Sequence, residues 1–357
     1  MQADQLRYAA KAAGYNARVG KATHSPKSGD EIFEGGNYPR SWEEFIGQGT
    51  AVNILKAACY SACVRKTRLE HTLLATGLHG VGKTSLAKLI AADLEVGLVE
   101  LSGKISVDQV RPVLKGMQDY DILFIDEIHQ LVAGGKGNAE WLLHLLQDGV
   151  LMTARGPEPM PKITVVAATT DVQKLPETII SRFPIRPPLV AYGEDEATLI
   201  AEGMAGKIGF DDVMLKAPSK ETLTAIARAC NNGPREIKGL LITLRDAALS
   251  DYAFVSEDGT YDLTTPLEWA GVTADGLTAQ AQDYLMVLLT MFEGKAGEDP
   301  IRQALGEPGP VRHTEKLLTQ KGLVRRMPKG RELTEAGVAR AIALLTERGL
   351  LTEEVAA

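Results

Sequence analysis

Residues 77–84 constrain the fold of this chain more than any other segment. They read G-x-x-x-x-G-K-T, they follow a short apolar run at 72–75, and apolar residues at helical spacing come after them. Glycines in such a loop let the backbone wrap closely around a phosphate, while the following helix N-terminus adds positive potential. The order of strand, glycine-rich loop and helix predicts a phosphate-binding loop in an α/β fold with a parallel sheet.

This loop is predicted to supply most of a nucleotide site. Lys83 would reach the β- and γ-phosphates, and the Thr84 hydroxyl would hold Mg²⁺. The predicted cofactors are therefore ATP and Mg²⁺. The nucleotide-binding residues predicted in the loop are Gly77, Gly80, Val81, Gly82, Lys83, Thr84 and Ser85.

Two further apolar runs end in polar side chains. Residues 122–125 lead into Asp126 and Glu127, and residues 163–168 lead into two threonines. Because ligands of open α/β sheets bind beyond the carboxyl ends of the strands, we predict that Asp126 contacts Mg²⁺ and that Glu127 polarises the attacking water. The Thr170 hydroxyl is a weaker candidate for the γ-phosphate or the water. His129 is interpreted as a structural histidine rather than a catalytic one.

With these three segments in order, the chain resembles the AAA+ ATPases and, among them, the RuvB family of Holliday-junction branch-migration motors. Residues 38–48 resemble the family segment that folds over the adenine, and residues 123–129, LFIDEIH, are close to its L-F-I-D-E-I-H. ISRF at 180–183 and GPR at 233–235 resemble the arginine-finger and sensor-2 segments. Residues 317–331 resemble the family's winged-helix segment, which generic AAA+ motifs do not reach.

The resemblance implies roles for residues outside the loop. Arg182 would act in trans on the γ-phosphate bound to a neighbouring subunit, and Arg235 would contact the γ-phosphate from the lid. A trans arginine requires an oligomer, and the family implies a homo-oligomeric ring of six. The segment over the adenine adds Arg40, Phe45 and Ile46 to the predicted nucleotide contacts. The predicted catalytic residues are Lys83, Asp126, Glu127, Thr170, Arg182 and Arg235, and the predicted metal ligands are Thr84 and Asp126.

The fold class implied is α/β, with a P-loop AAA+ core around a parallel sheet, a helical lid domain and a C-terminal winged-helix domain. The predicted divisions are a flexible N-terminal extension at 1–36, the ATPase domain at 37–187, the lid at 188–272 and the winged helix at 273–350.

Net charge alone would argue against a nucleic-acid partner. The chain has 39 Lys and Arg against 46 Asp and Glu, which gives −7. Between Val311 and Arg331, however, the sequence has seven basic residues and one acidic residue. Together with the resemblance, this favours DNA contact through phosphates, which gives affinity rather than sequence information. The predicted DNA-binding residues are Arg325, Arg326, Lys329 and Arg331.

Cysteine usage and hydropathy bear on location. The three cysteines, Cys59, Cys63 and Cys230, have no paired spacing, which is typical of reduced thiols in a cytoplasmic protein. No apolar run reaches the length of a membrane span, so no membrane partner is expected.

One segment departs from the family pattern. Residues 167–170, AATT, resemble the family's sensor-1 segment. The family has a long hairpin before that segment, which docks on its RuvA partner, whereas only residues 149–162 are available here. Pro157, Pro159 and Pro161 are expected to prevent a regular ladder in this segment. A shortened hairpin argues against a RuvA-type partner.

The leading functional hypothesis is an ATP-hydrolysing ring motor on duplex or branched DNA. One alternative is a clamp-loader-like or initiator-like switch, in which ATP controls assembly. Another is a protein-remodelling AAA+ ATPase, although pore loops of that class usually carry an aromatic residue and residues 102–113 contain none.

Overall fold

The computed structural model describes residues 38–132, 136–153, 156–210, 215–306, 311–328 and 330–351. The predicted extension at 1–36 and the tail after residue 351 lie outside these ranges. Two compact units divide the chain: one holds the described residues up to Lys207 with Asn232–Arg235, and the other holds Ile208–Asn231 with the residues from Glu236 onward. The predicted three-domain division stays a prediction. Within the described ranges, no helix combines the length and the apolarity that a bilayer crossing requires.

A four-stranded parallel sheet forms the centre of the first unit. Its strands are β1 (Thr72–Ala75), β2 (Leu98–Ser102), β3 (Ile122–Asp126) and β6 (Thr164–Thr169), in the order β1-β6-β3-β2. An isolated parallel bridge between Thr72 and Ile185 extends the outer edge of β1. The inner strands β3 and β6 are buried almost throughout, as expected for parallel strands covered on both faces. The predicted parallel sheet is confirmed.

The helices of the first unit accompany this sheet. They are α1 (Gly49–Arg65), α2 (Lys83–Leu94), α3 (Val107–Gly116), α4 (Ile128–Val132), α5 (Lys136–Asp148), α6 (Glu177–Ile180) and α7 (Glu194–Ile208), whose last residue belongs to the second unit. The core beneath them includes the fully buried aromatic side chains of Phe124, Trp141 and Phe183. Because α2 begins at Lys83, directly after the glycine-rich loop, the sheet presents that loop at the carboxyl end of β1.

A hairpin precedes β6, contrary to the expectation from its prolines. Its antiparallel strands are β4 (Val150–Thr153) and β5 (Gly156–Pro159). The N–H of Met160 donates to the carbonyl of Gly149 at 2.9 Å. Since bonded pairs alternate along an antiparallel ladder, Pro157 and Pro159 occupy the positions whose nitrogens point away from β4. The prediction that these prolines prevent a ladder was wrong, and Pro161 lies beyond β5. The expectation against a RuvA-type partner, which now rests on the length of the hairpin alone, stays a prediction.

A buried histidine sits at the start of β1. The Nδ1 atom of His71 accepts a hydrogen bond from the N–H of Val165 at 2.9 Å. Burial, reinforced by the charge of Arg68, lowers the pKa of His71 to about 3. His71 is therefore a neutral acceptor inside the first unit above about pH 3.

The stability of this unit should consequently fall in mild acid. An unfolded histidine takes up a proton near pH 6.5, whereas folded His71 does not, so the unfolded chain binds more protons between pH 6.5 and about 3. Below pH 6.5 we expect His71 to cost up to about 1.4 kcal/mol of unfolding free energy per pH unit. Urea unfolding at pH 7, 6 and 5 measures this. His71→Gln keeps an acceptor that does not titrate, and an equally steep pH dependence in that variant would contradict the assignment.

The second unit combines helices with a small sheet. Its first helices are α8 (Lys220–Ala229), α9 (Pro234–Leu249), whose first two residues belong to the first unit, and α10 (Thr264–Ala270). They are followed by α11 (Ala279–Thr290), β7 (Lys295–Ala296), α12 (Glu298–Ala304), α13 (Arg312–Gln320), β8 (Val324–Met327), β9 (Gly330–Leu333) and α14 (Glu335–Glu347).

The strands of the second unit pair antiparallel in the order β7-β9-β8. Gly330 has φ 150°, and a Cβ at this position would collide with the carbonyl oxygen of Ala296. Only glycine therefore allows β7 to approach β9 this closely. The four helices α11 to α14, a two-stranded wing and a short third strand make the predicted C-terminal winged helix, which is confirmed.

Candidate functional site

The glycine-rich loop connects β1 to α2 as a turn shaped for an anion. Gly82 caps α2 with φ 89°, and Gly80 has φ 70°. A Cβ on Gly82 would lie 2.8 Å from the Phe45 ring, so both conformation and space require glycine. The N-terminus of α2 opens directly onto this turn, where its free N–H groups and its dipole favour a phosphate.

Lys83 lies at the mouth of this turn. Its side chain is largely enclosed, and Nζ donates to the carbonyl of Leu78 at 3.1 Å. Burial lowers the pKa of this ammonium, and the carboxylates of Glu127 and Asp126 oppose the shift. Because an ammonium has three donors, Lys83 can hold the loop and also bind phosphate oxygens.

The two acids predicted from sequence stand beside the loop. Asp126 ends β3, and burial raises the pKa of its carboxyl group. Thr84, in the first turn of α2, adds a hydroxyl, and carboxylate and hydroxyl oxygens are the ligands that Mg²⁺ prefers. A glycine cradle for phosphate and an oxygen pair for a cation fit ATP with Mg²⁺.

The Glu127 carboxylate is held in one orientation. The Thr170 N–H donates to Oε2 at 3.2 Å, and the Thr170 hydroxyl lies 3.0 Å from the same atom. Glu127 itself has φ 48°, a left-handed conformation that non-glycine residues adopt mainly where the surroundings impose it, as at functional sites. The structure thus joins Thr170 to the predicted base, where it orients the carboxylate.

His129, interpreted from the sequence as a structural residue, contacts the predicted catalytic base. Its Nδ1 lies 3.1 Å from Glu127 Oε2 and 3.0 Å from Thr169 Oγ1. The spacing of two residues after Glu127 gave no indication of this contact, because it depends on how the short helix α4 turns back over β6. His129 therefore joins Thr170 in fixing the Glu127 carboxylate.

The start of α9 packs on the opposite side of the loop. The Cδ of Pro234 lies 3.6 Å, and the N of Arg235 3.9 Å, from the point where a Cβ on Gly80 would stand. The positive charge of Arg235 also lowers the pKa of Lys83, so the two cations are near one another. Arg235 is thus placed at the loop, and its contact with the γ-phosphate stays a prediction.

A cavity beside the loop has the lining expected for a flat base. Its apolar lining includes Phe45, Ile46, Tyr192, Ile200, Met204 and Pro234, and Gly80, Gly82 and Ser85 also border it. The predicted Phe45 and Ile46 thus meet the loop here. Arg40 does not line the cavity: its side chain is exposed, and its backbone N–H donates to Glu44.

Tyr192 is a member of this site that the sequence did not reveal. Its hydroxyl donates to the carbonyl of Val81 at 3.1 Å, and its own carbonyl accepts from the Asn232 side chain at 3.3 Å. Burial raises the pKa of Tyr192 to about 12, so it stays a neutral donor. It lies 111 positions after Val81, and no spacing rule links the two.

Arg182 is held apart from these residues. Its Nη2 donates to Gln147 Oε1 at 2.6 Å, and its Nη1 donates to the Thr178 carbonyl. One chain therefore brings Lys83, Asp126, Glu127, Thr170 and Arg235 to a single loop. Arg182 is bonded elsewhere, and its action on another subunit stays a prediction.

Family models and known relatives agree on one family. The Holliday junction DNA helicase RuvB P-loop domain matches residues 38–189, and the RuvB C-terminal winged helix domain matches residues 274–340. The Holliday junction branch migration complex subunit RuvB of Granulibacter bethesdensis is 32% identical over 321 residues, which cover 86% of each chain. The chain belongs to the RuvB family.

Two more RuvB proteins resemble it over nearly their full length. RuvB of Rhodospirillum centenum is 30% identical, with 90% of this chain and 89% of that protein covered. The structure of the Thermotoga maritima RuvB Holliday junction branch migration motor matches with a TM-score of 0.70 at 25% identity, and the match covers 88% of this chain and 99% of that one. The AAA+ fold and the RuvB resemblance stated from the sequence are confirmed.

In this RuvB family member, a buried acid organises the wing formed by β8 and β9. Glu315 of α13 is fully buried, and its carboxylate accepts from Arg331 Nε at 2.7 Å and Nη2 at 3.0 Å. Arg326 lies 3.3 Å from the same carboxylate, and the Tyr284 hydroxyl donates to it at 3.2 Å. Since a buried charge is tolerated only when it is paired, this network ties the wing to α13.

The structure corrects the expectation that Arg331 contacts DNA. Its guanidinium is only 17% exposed, and it binds Glu298 as well as Glu315. Its charge is compensated inside the winged helix, so it is not available to phosphates. Arg325 and Arg326 are exposed on β8 and remain predicted DNA contacts. Lys329 lies outside the described residues.

Two arginine variants separate these roles. Arg331→Ala removes the two shorter arginine bonds to the buried Glu315 carboxylate and leaves Arg326 as its remaining arginine partner among the described residues, so we expect a loss of up to about 3–5 kcal/mol in the stability of the winged helix. Arg325→Ala removes an exposed side chain, so it should leave the unfolding transition nearly unchanged. It should also lower the salt dependence of duplex binding by about 0.9 per lost phosphate contact. Thermal unfolding and salt titrations measure both, and the reverse pattern would contradict the assignment.

Proposed function

We propose that this chain is an ATP-hydrolysing motor that moves branch points in DNA as a ring of identical subunits. The observation that carries this is the presence, in one RuvB-family chain, of a hydrolytic P-loop site and a winged helix. The relatives in Granulibacter and Rhodospirillum are named as subunits of the Holliday junction branch migration complex, and branched DNA is their named substrate.

The site residues divide the work of hydrolysis. Thr84 and Asp126 would hold Mg²⁺, which neutralises charge on the β- and γ-phosphates when it is bound. Lys83 and the N-terminus of α2 bind the phosphate oxygens. Glu127, oriented by Thr170 and His129, accepts a hydrogen bond from the attacking water and draws its proton away.

The position of Arg235 suggests how ATP hydrolysis is coupled to movement of the protein. It belongs to the first turn of α9, most of which lies in the second unit. When its guanidinium contacts the γ-phosphate, loss of that phosphate removes a contact at the point where the chain crosses between the units. Arg182 makes the matching contact on the neighbouring subunit, so hydrolysis requires the assembled ring.

ATP hydrolysis rates without DNA, with linear duplex and with a four-way junction test this function. The motor predicts that the junction stimulates hydrolysis most. Equal stimulation by linear duplex would favour the clamp-loader-like or initiator-like switch, and no response to any DNA would favour protein remodelling. Lys83→Ala, which removes the phosphate contact, provides the background rate.

A further inference from the structure

Gln147 contacts the predicted finger arginine directly. It lies in the last turn of α5, and its Oε1 accepts from Arg182 Nη2 at 2.6 Å. The Arg182 Nη1 donates to the carbonyl of Thr178 in α6. The guanidinium is a rigid planar fork, so two acceptors on two different helices fix both its plane and its direction.

Within the described residues, these two hydrogen bonds are the ones that hold the Arg182 guanidinium. The Arg182 Nε is buried and has no hydrogen-bond partner within that part of the chain. Removing the Gln147 acceptor would leave the Thr178 carbonyl as the remaining anchor, about which the guanidinium can rotate. Orientation of Arg182 therefore depends strongly on one side chain.

Both anchors are also uncharged. An amide oxygen and a peptide carbonyl orient an arginine without cancelling its positive charge, whereas Glu315 both orients and compensates Arg331 in the winged helix. Arg182 thus keeps its full charge for an anion that the described part of its own chain does not supply. This is the requirement on a residue that stabilises charge on a phosphate bound elsewhere.

We propose that Gln147 is a positioning residue for hydrolysis in trans: its amide oxygen aims Arg182 at the γ-phosphate bound to the neighbouring subunit. The proposal rests on the proposed function, since Arg182 acts on a phosphate only in the assembled ring. Misplacement of a catalytic group by 1 Å costs up to about 10²-fold in rate. Loss of this anchor should accordingly lower kcat by roughly 10- to 100-fold.

Substitutions at Gln147 separate orientation from structure. Gln147→Leu keeps the size of the side chain and removes the acceptor, whereas Gln147→Glu keeps an acceptor oxygen. We expect the leucine variant to lose kcat with unchanged nucleotide affinity and unchanged melting temperature. The glutamate variant still orients Arg182 but pairs its charge, so it should recover only part of the rate. Gln173→Leu, at an exposed glutamine, is the matched control. A Gln147→Leu rate equal to this control overturns the proposal.

Mixed oligomers then locate the effect. Glu127→Gln subunits offer a finger but cannot hydrolyse ATP, and Arg182→Ala subunits have an intact site but no finger. Their mixture hydrolyses ATP only where a finger from the first kind reaches a site of the second. Gln147→Leu should lower the rate when it is added to the Glu127→Gln subunit, and not when it is added to the Arg182→Ala subunit.

The outcomes distinguish the two levels of inference. An equal loss from both placements of Gln147→Leu overturns the positioning role and leaves the finger intact. A parent mixture that does not hydrolyse ATP contradicts the trans finger, and the role of Gln147 fails with it.

Discussion

Replacing Arg182 by alanine should lower kcat for ATP hydrolysis by roughly 10³-fold or more, with nucleotide affinity close to that of the unchanged chain. The reason lies in where the side chain is held. Arg182 is bonded to Gln147 and Thr178 and not to the P-loop, so its loss leaves the site that binds ATP in the same subunit intact. What the alanine variant loses is the positive charge that would stabilise the transition state of ATP hydrolysis in the neighbouring subunit.

Steady-state ATPase rates and fluorescent-nucleotide titrations measure the two quantities separately. Arg182→Lys is the informative companion variant, because it keeps the charge and loses the planar fork, so partial activity is expected. A kcat for Arg182→Ala within tenfold of the parent rate would remove Arg182 from the mechanism.

Replacing Glu127 by glutamine should lower the rate of bond cleavage by about 10²–10⁴-fold while ATP stays bound. The glutamine side chain keeps the shape of the site and an oxygen for the Thr170 hydroxyl, but it cannot accept a proton from water. Because the Lys83, Thr84 and Asp126 contacts are untouched, binding and nucleotide-dependent assembly should persist.

Single-turnover cleavage of bound ATP, followed together with nucleotide retention, tests this expectation. Asp126→Asn is the matched control, since it removes a predicted metal ligand and should weaken Mg²⁺-dependent binding instead. Normal turnover in Glu127→Gln would show that another group activates the water. Arg182→Ala and Glu127→Gln also behave differently in mixed oligomers. An arginine finger from another subunit restores hydrolysis at an Arg182→Ala site, but it does not restore hydrolysis at a Glu127→Gln site.

Much of the site was predictable because parallel strands end at the same edge of a sheet. Asp126 and Thr170 follow two separate apolar runs, and the glycine-rich loop follows a third. Because the three runs form parallel strands, this rule places both side chains near the loop. The glycines of the loop were predictable because a tight turn around a phosphate needs backbone conformations that only glycine adopts readily. In the structure, the positive φ of Gly82 and the nearby Phe45 ring both require glycine there.

Residues that act through long-range packing were not predictable. Tyr192 reaches Val81 only because the segment after the sheet returns to the loop, and His129 reaches Glu127 only through the turn into α4. Arg331 belongs to a basic stretch, and only the structure identifies the buried partner Glu315. Charge counts along a sequence cannot separate such a compensated arginine from an exposed one.

The effect of the hairpin prolines depends on which positions they occupy. In a two-stranded antiparallel ladder only every second residue of a strand donates its N–H to the partner strand, so a proline breaks the ladder only at a donating position. Pro157 and Pro159 are two residues apart, so both occupy positions that donate nothing to β4. The spacing of two residues can be read from the sequence, whereas the register of the folded hairpin decides which alternate positions donate to β4.

The most direct test of the central proposal is strand exchange on a synthetic four-way junction with homologous arms, followed by gel with the unchanged full chain. The motor predicts that ATP with Mg²⁺ converts the junction into two duplex products, that a non-hydrolysable ATP analogue does not, and that Glu127→Gln binds the junction without converting it. Junction binding with no conversion at any ATP concentration, under conditions where the chain hydrolyses ATP, would contradict branch migration by this chain.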